Sequence, residues 1–342
     1  MENPLSNLPI PLLAWYRDNA RDLPWRQTPD PYRVWVSEIM LQQTRVAAVL
    51  GYFQRFMEAF PTVRDLAEAP EDQLMKLWQG LGYYSRARNL QKAAQQIMTD
   101  FGGVFPTEYK DIRSLAGVGD YTASALASIC FGQPTPAVDG NLLRVAARIM
   151  ADDTDVTTAK GKKHFTEALA QVIPLAEPGK FNQAMMDLGA MVCLPNGVPL
   201  CEKCPAADFC QARIQGRTGE LPVRPAKKPR KIEERKVFFL FHEGRVALRR
   251  RPAKGLLAGL WEYPNTLAEE APPIPDLDLE FAGTGVHIFT HVEWRMTAWK
   301  AHLDMPDLPE GWVWADKAAL AEQYAVPSAF APFLALVEEE LP

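Results

Sequence analysis

Two carboxylates and four cysteines stand in the surroundings that best suit them to chemistry in this 342-residue sequence. Glu38 lies in Val34-Trp35-Val36-Ser37-Glu38-Ile39-Met40-Leu41, a mostly apolar run that would desolvate a carboxyl and raise its pKa, as a general acid requires. Asp139 lies in Pro136-Ala137-Val138-Asp139-Gly140-Asn141, directly before a helix-like segment. Cleaving an N-glycosidic bond takes an acid to protonate the leaving base and an anion to stabilise the oxocarbenium-like sugar, so two carboxylates in contrasting environments fit that chemistry. Singly, each has a plainer reading: Asp139 as a helix N-cap, Glu38 as the exposed edge of an amphipathic helix. Cys193, Cys201, Cys204 and Cys210 follow C-x7-C-x2-C-x5-C within 18 residues, which suits a metal site in a reducing compartment better than disulfides or free thiols. That spacing accepts either a structural zinc or a [4Fe–4S] cluster. Cys130 stands apart and reads as core.

Two glycine-bearing segments could meet a polyanion. Leu115-Ala116-Gly117-Val118-Gly119 precedes Asp120-Tyr121 and a helical pattern, so the hairpin would aim backbone N–H groups from a helix N-terminus, with Gly117 and Gly119 allowing close approach of a phosphate. A tight turn between packed helices is the plainer alternative. Gly80-Leu81-Gly82-Tyr83-Tyr84-Ser85-Arg86-Ala87-Arg88 joins flexible backbone to two aromatics and two guanidiniums, a combination suited to stacking on bases and pairing with phosphates.

The elements that must position these residues are legible in outline. Apolar residues recur at helical spacing over residues 34–58, 73–78, 86–99, 121–129, 141–149 and 181–191, so the first 210 residues read as mostly helical. Residues 213–236 hold nine basic and three acidic side chains, three prolines and few large apolar groups, and so read as a linker. Beyond it, β-rich stretches at 237–241, 246–250, 286–291 and 296–303 predict a small α+β domain. The expected division is 1–212, a linker at 213–232, and 233–342. Charge divides along the same line: residues 262–342 carry 15 acidic against 3 basic groups, net −12, so the total of −5 leaves +7 for residues 1–261. A basic surface for nucleic acid could come only from the first three quarters. Neither a signal peptide nor an apolar run long enough to span a membrane is present, which points to a cytoplasmic protein.

Taken together, these segments resemble the helix-hairpin-helix, iron–sulfur DNA glycosylases, and specifically the adenine DNA glycosylases of the MutY type. The matching stretches are Leu23-Pro24-Trp25-Arg26, Ser37-Glu38-Ile39-Met40-Leu41-Gln42-Gln43-Thr44, Gly80 to Asn89, Leu115 to Tyr121, Val138-Asp139-Gly140-Asn141, Phe181-Asn182-Gln183-Ala184-Met185-Met186-Asp187-Leu188-Gly189 and the cysteines, in shared order through residues 10–210. The resemblance implies a multidomain fold: an all-α helix-hairpin-helix glycosylase domain with an iron–sulfur loop, then an α+β MutT/Nudix-like domain. It makes Glu38 the acid that protonates adenine and later handles water, Asp139 the stabiliser of the cationic sugar, and Asn141 its support. Trp25, Arg26 and Tyr121 would line the adenine pocket, Gln43 and Tyr83 would enter the base stack, and Arg86, Gly117 and Gly119 would serve the DNA backbone. Cys193, Cys201, Cys204 and Cys210 would hold a [4Fe–4S] cluster. The implied partner is double-stranded DNA with adenine opposite 8-oxoguanine or guanine, met by a monomer associated with a bacterial-type nucleoid.

Position 121 separates branches of this family, because strand-cutting relatives carry a Lys there as Schiff-base nucleophile, whereas a phenol cannot form an imine. The second domain lacks the Nudix metal-binding signature G-x5-E-x7-R-E-x2-E-E and is expected to bind rather than hydrolyse. Within it, Phe289-Thr290-His291 aligns with the Phe-Ser-His loop by which the family reads 8-oxoguanine. Three departures from the family pattern stand out: Thr290 for Ser, Ala116 where Pro is common, and seven residues rather than six in the first cysteine gap.

Overall fold

A computed structural model describes residues 3–225, 229–304 and 307–342. The chain divides into two compact units, one of residues 3–67 with 89–225, the other of residues 68–88 with 229–342. This division cuts differently from the sequence expectation of a helical domain over 1–212.

The helical part of the chain contributes α1 (Pro9–Asn19), α2 (Pro31–Leu41), α3 (Val46–Ala59), α4 (Val63–Glu68), α5 (Glu71–Trp78), α6 (Ser85–Asp100), α7 (Tyr109–Ser114), α8 (Asp120–Phe131), α9 (Gly140–Met150), α10 (Ala159–Ala170), α11 (Pro178–Met191) and α12 (Gln211–Ile214). The unit boundary falls within α4 and α6, so α5 belongs to the second unit. Local chemistry sets the starts: Asp30 accepts from Arg33 N at 2.8 Å and Pro31 opens α2, while Thr158 caps α10. The helical pattern at 34–58 is not one helix. It breaks at residues 42–45, where Gln43 takes a left-handed φ of 58° that a continuous helix cannot contain.

In the first unit, α11 packs on α1, α8 and α9, and a single apolar cluster joins Leu12, Leu142, Val145, Phe165, Phe181, Met185 and Leu188. The buried Asn182 side chain stitches the segment before α9: it donates to Ser128 Oγ and Thr135 O and accepts from Ala137 N, all within 3.0 Å. Residues 213–225 are not a free linker, because Leu221 is buried in this cluster and Leu221 O accepts from Arg148 Nε at 2.9 Å. The low apolar content of that stretch hid one well-placed side chain. Residues 226–228 of the expected linker lie outside the described residues.

The second unit is built on β1 (Lys231–His242), β2 (Arg245–Arg250), β3 (Trp261–Glu262), β4 (Asn265–Leu267), β5 (Glu280–Ile288), β6 (Val292–His302) and β7 (Trp312–Ala315), with α13 (Lys317–Glu322) and α14 (Leu334–Glu340). The sheet runs β3-β2-β1-β6-β5, with β4 on β1 and β7 on β2. β1 and β6 pair in parallel from Lys231↔Val292 to Phe241↔His302, and the other pairs are antiparallel. Being central, β1 buries both faces: Val237, Phe239 and Phe241 enter one core, Phe238 and Leu240 the other. The β-rich stretch read at 286–291 is two things, the end of β5 and the turn to β6, and Thr290 and His291 form its exposed tip. Among the described residues no helix is long and apolar enough to cross a membrane.

Candidate active site

An open cleft of about 740 Å³ in the first unit is lined by Trp25, Arg26, Glu38, Gln43, Tyr121, Asp139 and Asn141, with Arg21, Gln183 and Met186. It gathers both carboxylates and most of the residues that the sequence assigned to a base pocket. Glu38 comes from the buried face of α2 and is only 6% exposed. Tyr121, in the first turn of α8, donates its hydroxyl to Glu38 Oε2 at 2.5 Å. Burial drives the Glu38 pKa above the ordinary carboxylate value, the nearby Asp139 charge adds to this, and the Tyr121 hydroxyl and the Arg26 charge oppose it. Burial also lifts the Tyr121 phenol well above its usual value, with Glu38 adding to the effect, so it donates as a neutral hydroxyl.

Asp139 is the N-cap of α9, and it is also in the cleft. Its Oδ1 accepts from Asn141 N and Leu142 N at 2.8 Å each, and its Oδ2 from Asn141 Nδ2 at 2.7 Å. The capping role and a chemical role therefore do not exclude one another: two backbone N–H groups and an amide hold the carboxylate in one orientation. Burial raises its pKa, and those donors pull it back. Asn141 is fixed in turn by Arg144, whose Nη2 donates to Asn141 Oδ1 at 2.9 Å and to Gly189 O at 2.7 Å. Position 189 must be glycine for this approach, since a Cβ there would sit 2.6 Å from Asn141 Cβ.

Arg26 lines the cleft, but its guanidinium is committed elsewhere: Nη1 and Nη2 donate to the two Asp187 oxygens at 2.7 and 2.9 Å. Trp25 is buried, with its ring edge-on to Phe53. Gln43 is exposed at the cleft in its left-handed backbone conformation.

The hairpin between α7 and α8 holds Gly117 at φ 73°, and a Cβ there would lie 2.6 Å from Asn89 Cβ. Ala116 supplies an N–H that proline lacks, and Gln96 Oε1 accepts it at 2.7 Å, so the departure from the family pattern carries its own fixture. Gly119 has ordinary backbone geometry with open space around it, as the N-cap of α8, and no side chain caps that helix.

Tyr83 and the residue 289–291 turn fall in the second unit. Tyr83 is 45% exposed at φ 47°, and its hydroxyl bonds Thr290 Oγ1. Phe289 stacks edge-on with Trp294 and His287, and its carbonyl accepts from Arg230 Nε. Arg86 is 9% exposed, donates to Leu81 O and Gly82 O, and lies over the Trp78 and Tyr83 rings, so its guanidinium braces the turn that presents Tyr83.

The four cysteines line one cavity together with Val145, Leu188, Val192, Pro199 and Arg148. No three His, Cys, Asp or Glu side chains among the described residues converge on a point as a single bound ion would need. The cavity lining is largely apolar, and Arg148 Nη1 donates to Cys193 Sγ at 3.2 Å, so the four cysteines share surroundings in which a thiolate-bound anionic group would meet a cation. The seventh residue of the first gap is absorbed at the surface, where Gly197 is left-handed and Val198 is 85% exposed.

Sequence reasoning missed Gln183, Asp187 and Arg144. The signal was present as spacing: Gln183 and Asp187 are four apart on α11, and Asn141 and Arg144 are three apart on α9.

Comparison with known proteins gives the chain its class. A family model described as HhH-GPD superfamily base excision DNA repair protein matches residues 36–174, and a NUDIX domain model matches residues 236–336. The adenine DNA glycosylase of Mus musculus is 37% identical over 361 residues, covering 86% of this chain and 70% of the relative. This chain belongs to the adenine DNA glycosylase family. A second member, from Buchnera aphidicola subsp. Acyrthosiphon pisum (strain APS), is 36% identical and covers 74% of this chain and 72% of its own. Among solved structures, a thermostable thymine-DNA glycosylase aligns with TM-score 0.55 at 29% identity, over 60% of this chain and 94% of that one. A non-covalent endonuclease III–DNA complex aligns with TM-score 0.53 at 23% identity, over 63% of this chain and 99% of that one, a likeness of fold. The glycosylase is thus a base excision repair enzyme acting on N-glycosyl bonds, with a helix-hairpin-helix domain and a Nudix-like domain.

Proposed function

We propose that the glycosylase removes adenine from DNA when it is mispaired with 8-oxoguanine or guanine, leaving an abasic site in an uncut strand. The observation that carries this reading is one cleft holding a buried, hydroxyl-bonded Glu38 beside an Asp139 gripped by three N–H donors. Glu38 gives its proton to a ring nitrogen of the extruded adenine, and the electron pair of the breaking C–N bond leaves with the base. Positive charge then develops on the sugar, and Asp139, held rigid by Asn141 and the start of α9, stabilises it. The Glu38 carboxylate takes a proton from the incoming water, which restores the acid. Tyr121 supplies no amine, so strand cleavage through an imine has no nucleophile at this position.

Gln43 and Tyr83, both non-glycine residues at positive φ, enter the duplex, and such strain at exposed residues suits a side chain that must project into a partner. The Thr290 hydroxyl at the β5–β6 tip reads the lesion. Cys193, Cys201, Cys204 and Cys210 would hold a [4Fe–4S] cluster, which would supply a fixed local charge and a covalent clamp on the loop beside α9.

The test is single-turnover incubation with duplexes carrying adenine opposite 8-oxoguanine, adenine opposite guanine, or thymine glycol opposite adenine, each with and without hot alkali. Alkali-dependent breakage at adenine, fastest opposite 8-oxoguanine, is the expected result. Breakage at thymine glycol without alkali, or binding without base loss, would overturn it in favour of a lyase or a lesion sensor.

A further inference from the structure

Asp187 is fully buried, and it draws together two arginines of the cleft. Arg21 N and Nε donate to it at 3.1 and 2.7 Å, and Arg26 closes a bidentate pair at 2.7 and 2.9 Å. These donors outweigh the burial that would otherwise disfavour its charge, and Asp187 stays ionised. Arg26 and Glu38 line the same cleft, and among the described residues the groups felt by Glu38 include the Arg26 and Asp139 charges, the Tyr121 hydroxyl and the Cys130 thiol. Arg26 also faces the Tyr16 ring, whose hydroxyl donates to Gln183.

We propose that Asp187 is a positioning residue for base removal: its carboxylate holds the Arg26 guanidinium and supplies the counter-charge that keeps it from pairing with Glu38, leaving Glu38 able to carry a proton. This rests on the reading of Glu38 as the general acid. An arginine without a counter-ion beside a buried carboxyl favours the carboxylate, which is the form that cannot protonate adenine. The acid form is active, so activity falls as pH rises through the Glu38 pKa, and loss of Asp187 should move that alkaline limb to lower pH.

The experiment measures single-turnover adenine removal from pH 5 to 10 for the full chain and for D187N, D187E, R26Q and E38Q, with thermal melts to establish folding. In D187N the limb should move down by about one pH unit, giving rates about tenfold lower above it and little change on the acid plateau. D187E should restore the profile, and R26Q should move the limb upward. A folded D187N with an unmoved limb, or with the same loss at every pH, would overturn the role of Asp187. If D187N does not fold, an unmoved limb in R26Q overturns it equally. An active E38Q would overturn the reading of Glu38 itself, whereas an inactive E38Q with an unmoved limb in D187N would overturn only the role of Asp187.

Discussion

Glu38 carries opposing influences that can be separated one atom at a time. Burial and the Asp139 charge favour its proton, whereas the Tyr121 hydroxyl and Arg26 favour its carboxylate. Tyr121→Phe removes only the hydroxyl. A hydrogen bond to a charged group is worth about 1.5–3 kcal/mol, and one pKa unit corresponds to about 1.4 kcal/mol. The loss should therefore raise the Glu38 pKa by about one unit, and the acid form should persist to higher pH. Single-turnover rates should show the alkaline limb moving up, with the acid plateau reduced less than about tenfold. A limb that moves down, or a plateau loss of several orders of magnitude, would give the phenol a direct chemical part. Asp139 makes a complementary point: its three donors do the work of a helix cap and of an orienting clamp at once, so a residue's ordinary structural job is no argument against its chemistry.

Elements decide where these residues meet, and the hairpin between α7 and α8 is the most exacting of them. Gly117→Ala would put a Cβ against Asn89 while holding a non-glycine residue at φ 73°, a strain of about 1–3 kcal/mol. The expected outcome is a lower melting temperature and weaker binding to undamaged and damaged duplex alike, because a phosphate contact carries no base preference. Loss of selectivity without loss of affinity would remove the hairpin from the backbone-binding role. Such glycine positions, the apolar run around Glu38 and the helix start at Asp139 were legible in the sequence because each is a local pattern. The Arg26–Asp187 pair was not, since its partners lie 161 residues apart. Nor was the parallel β1–β6 pairing, which joins strands about 60 residues apart with nothing in either to name the other. The break at residues 42–45 escaped because helical periodicity continues across it, and only the left-handed Gln43 reveals the turn.

At the scale of the whole molecule, the second unit takes residues from two distant parts of the chain, and this governs how lesion selectivity can be tested. Lys76 Nζ donates to Leu320 O at 2.7 Å and Gln79 Nε2 to Val326 O at 2.7 Å, so residues 68–88 are tied into the same unit as the sheet and the residue 289–291 turn. Deleting residues 233–342 would strip partners from α5 and from the turn bearing Tyr83, and any lost discrimination could then come from a damaged Tyr83 segment. Thr290→Ala is the narrower change: it removes one exposed hydroxyl with its methyl, and with it the partner of the Tyr83 hydroxyl, but leaves the Lys76 and Gln79 ties in place. If Thr290 reads the lesion, its loss should narrow the rate and affinity ratio between adenine:8-oxoguanine and adenine:guanine duplexes by about tenfold, the worth of one hydrogen bond. The rate on adenine opposite guanine should stay within about twofold, since that base offers the hydroxyl no lesion-specific partner. An unchanged ratio would move recognition to Tyr83 or to the first unit. The acidic balance of residues 262–342 bears on the same test: a segment of net charge −12 is poorly suited to gripping phosphate, so if it contributes to lesion choice it does so through a few directed contacts, of which the Thr290 hydroxyl is the one this substitution removes.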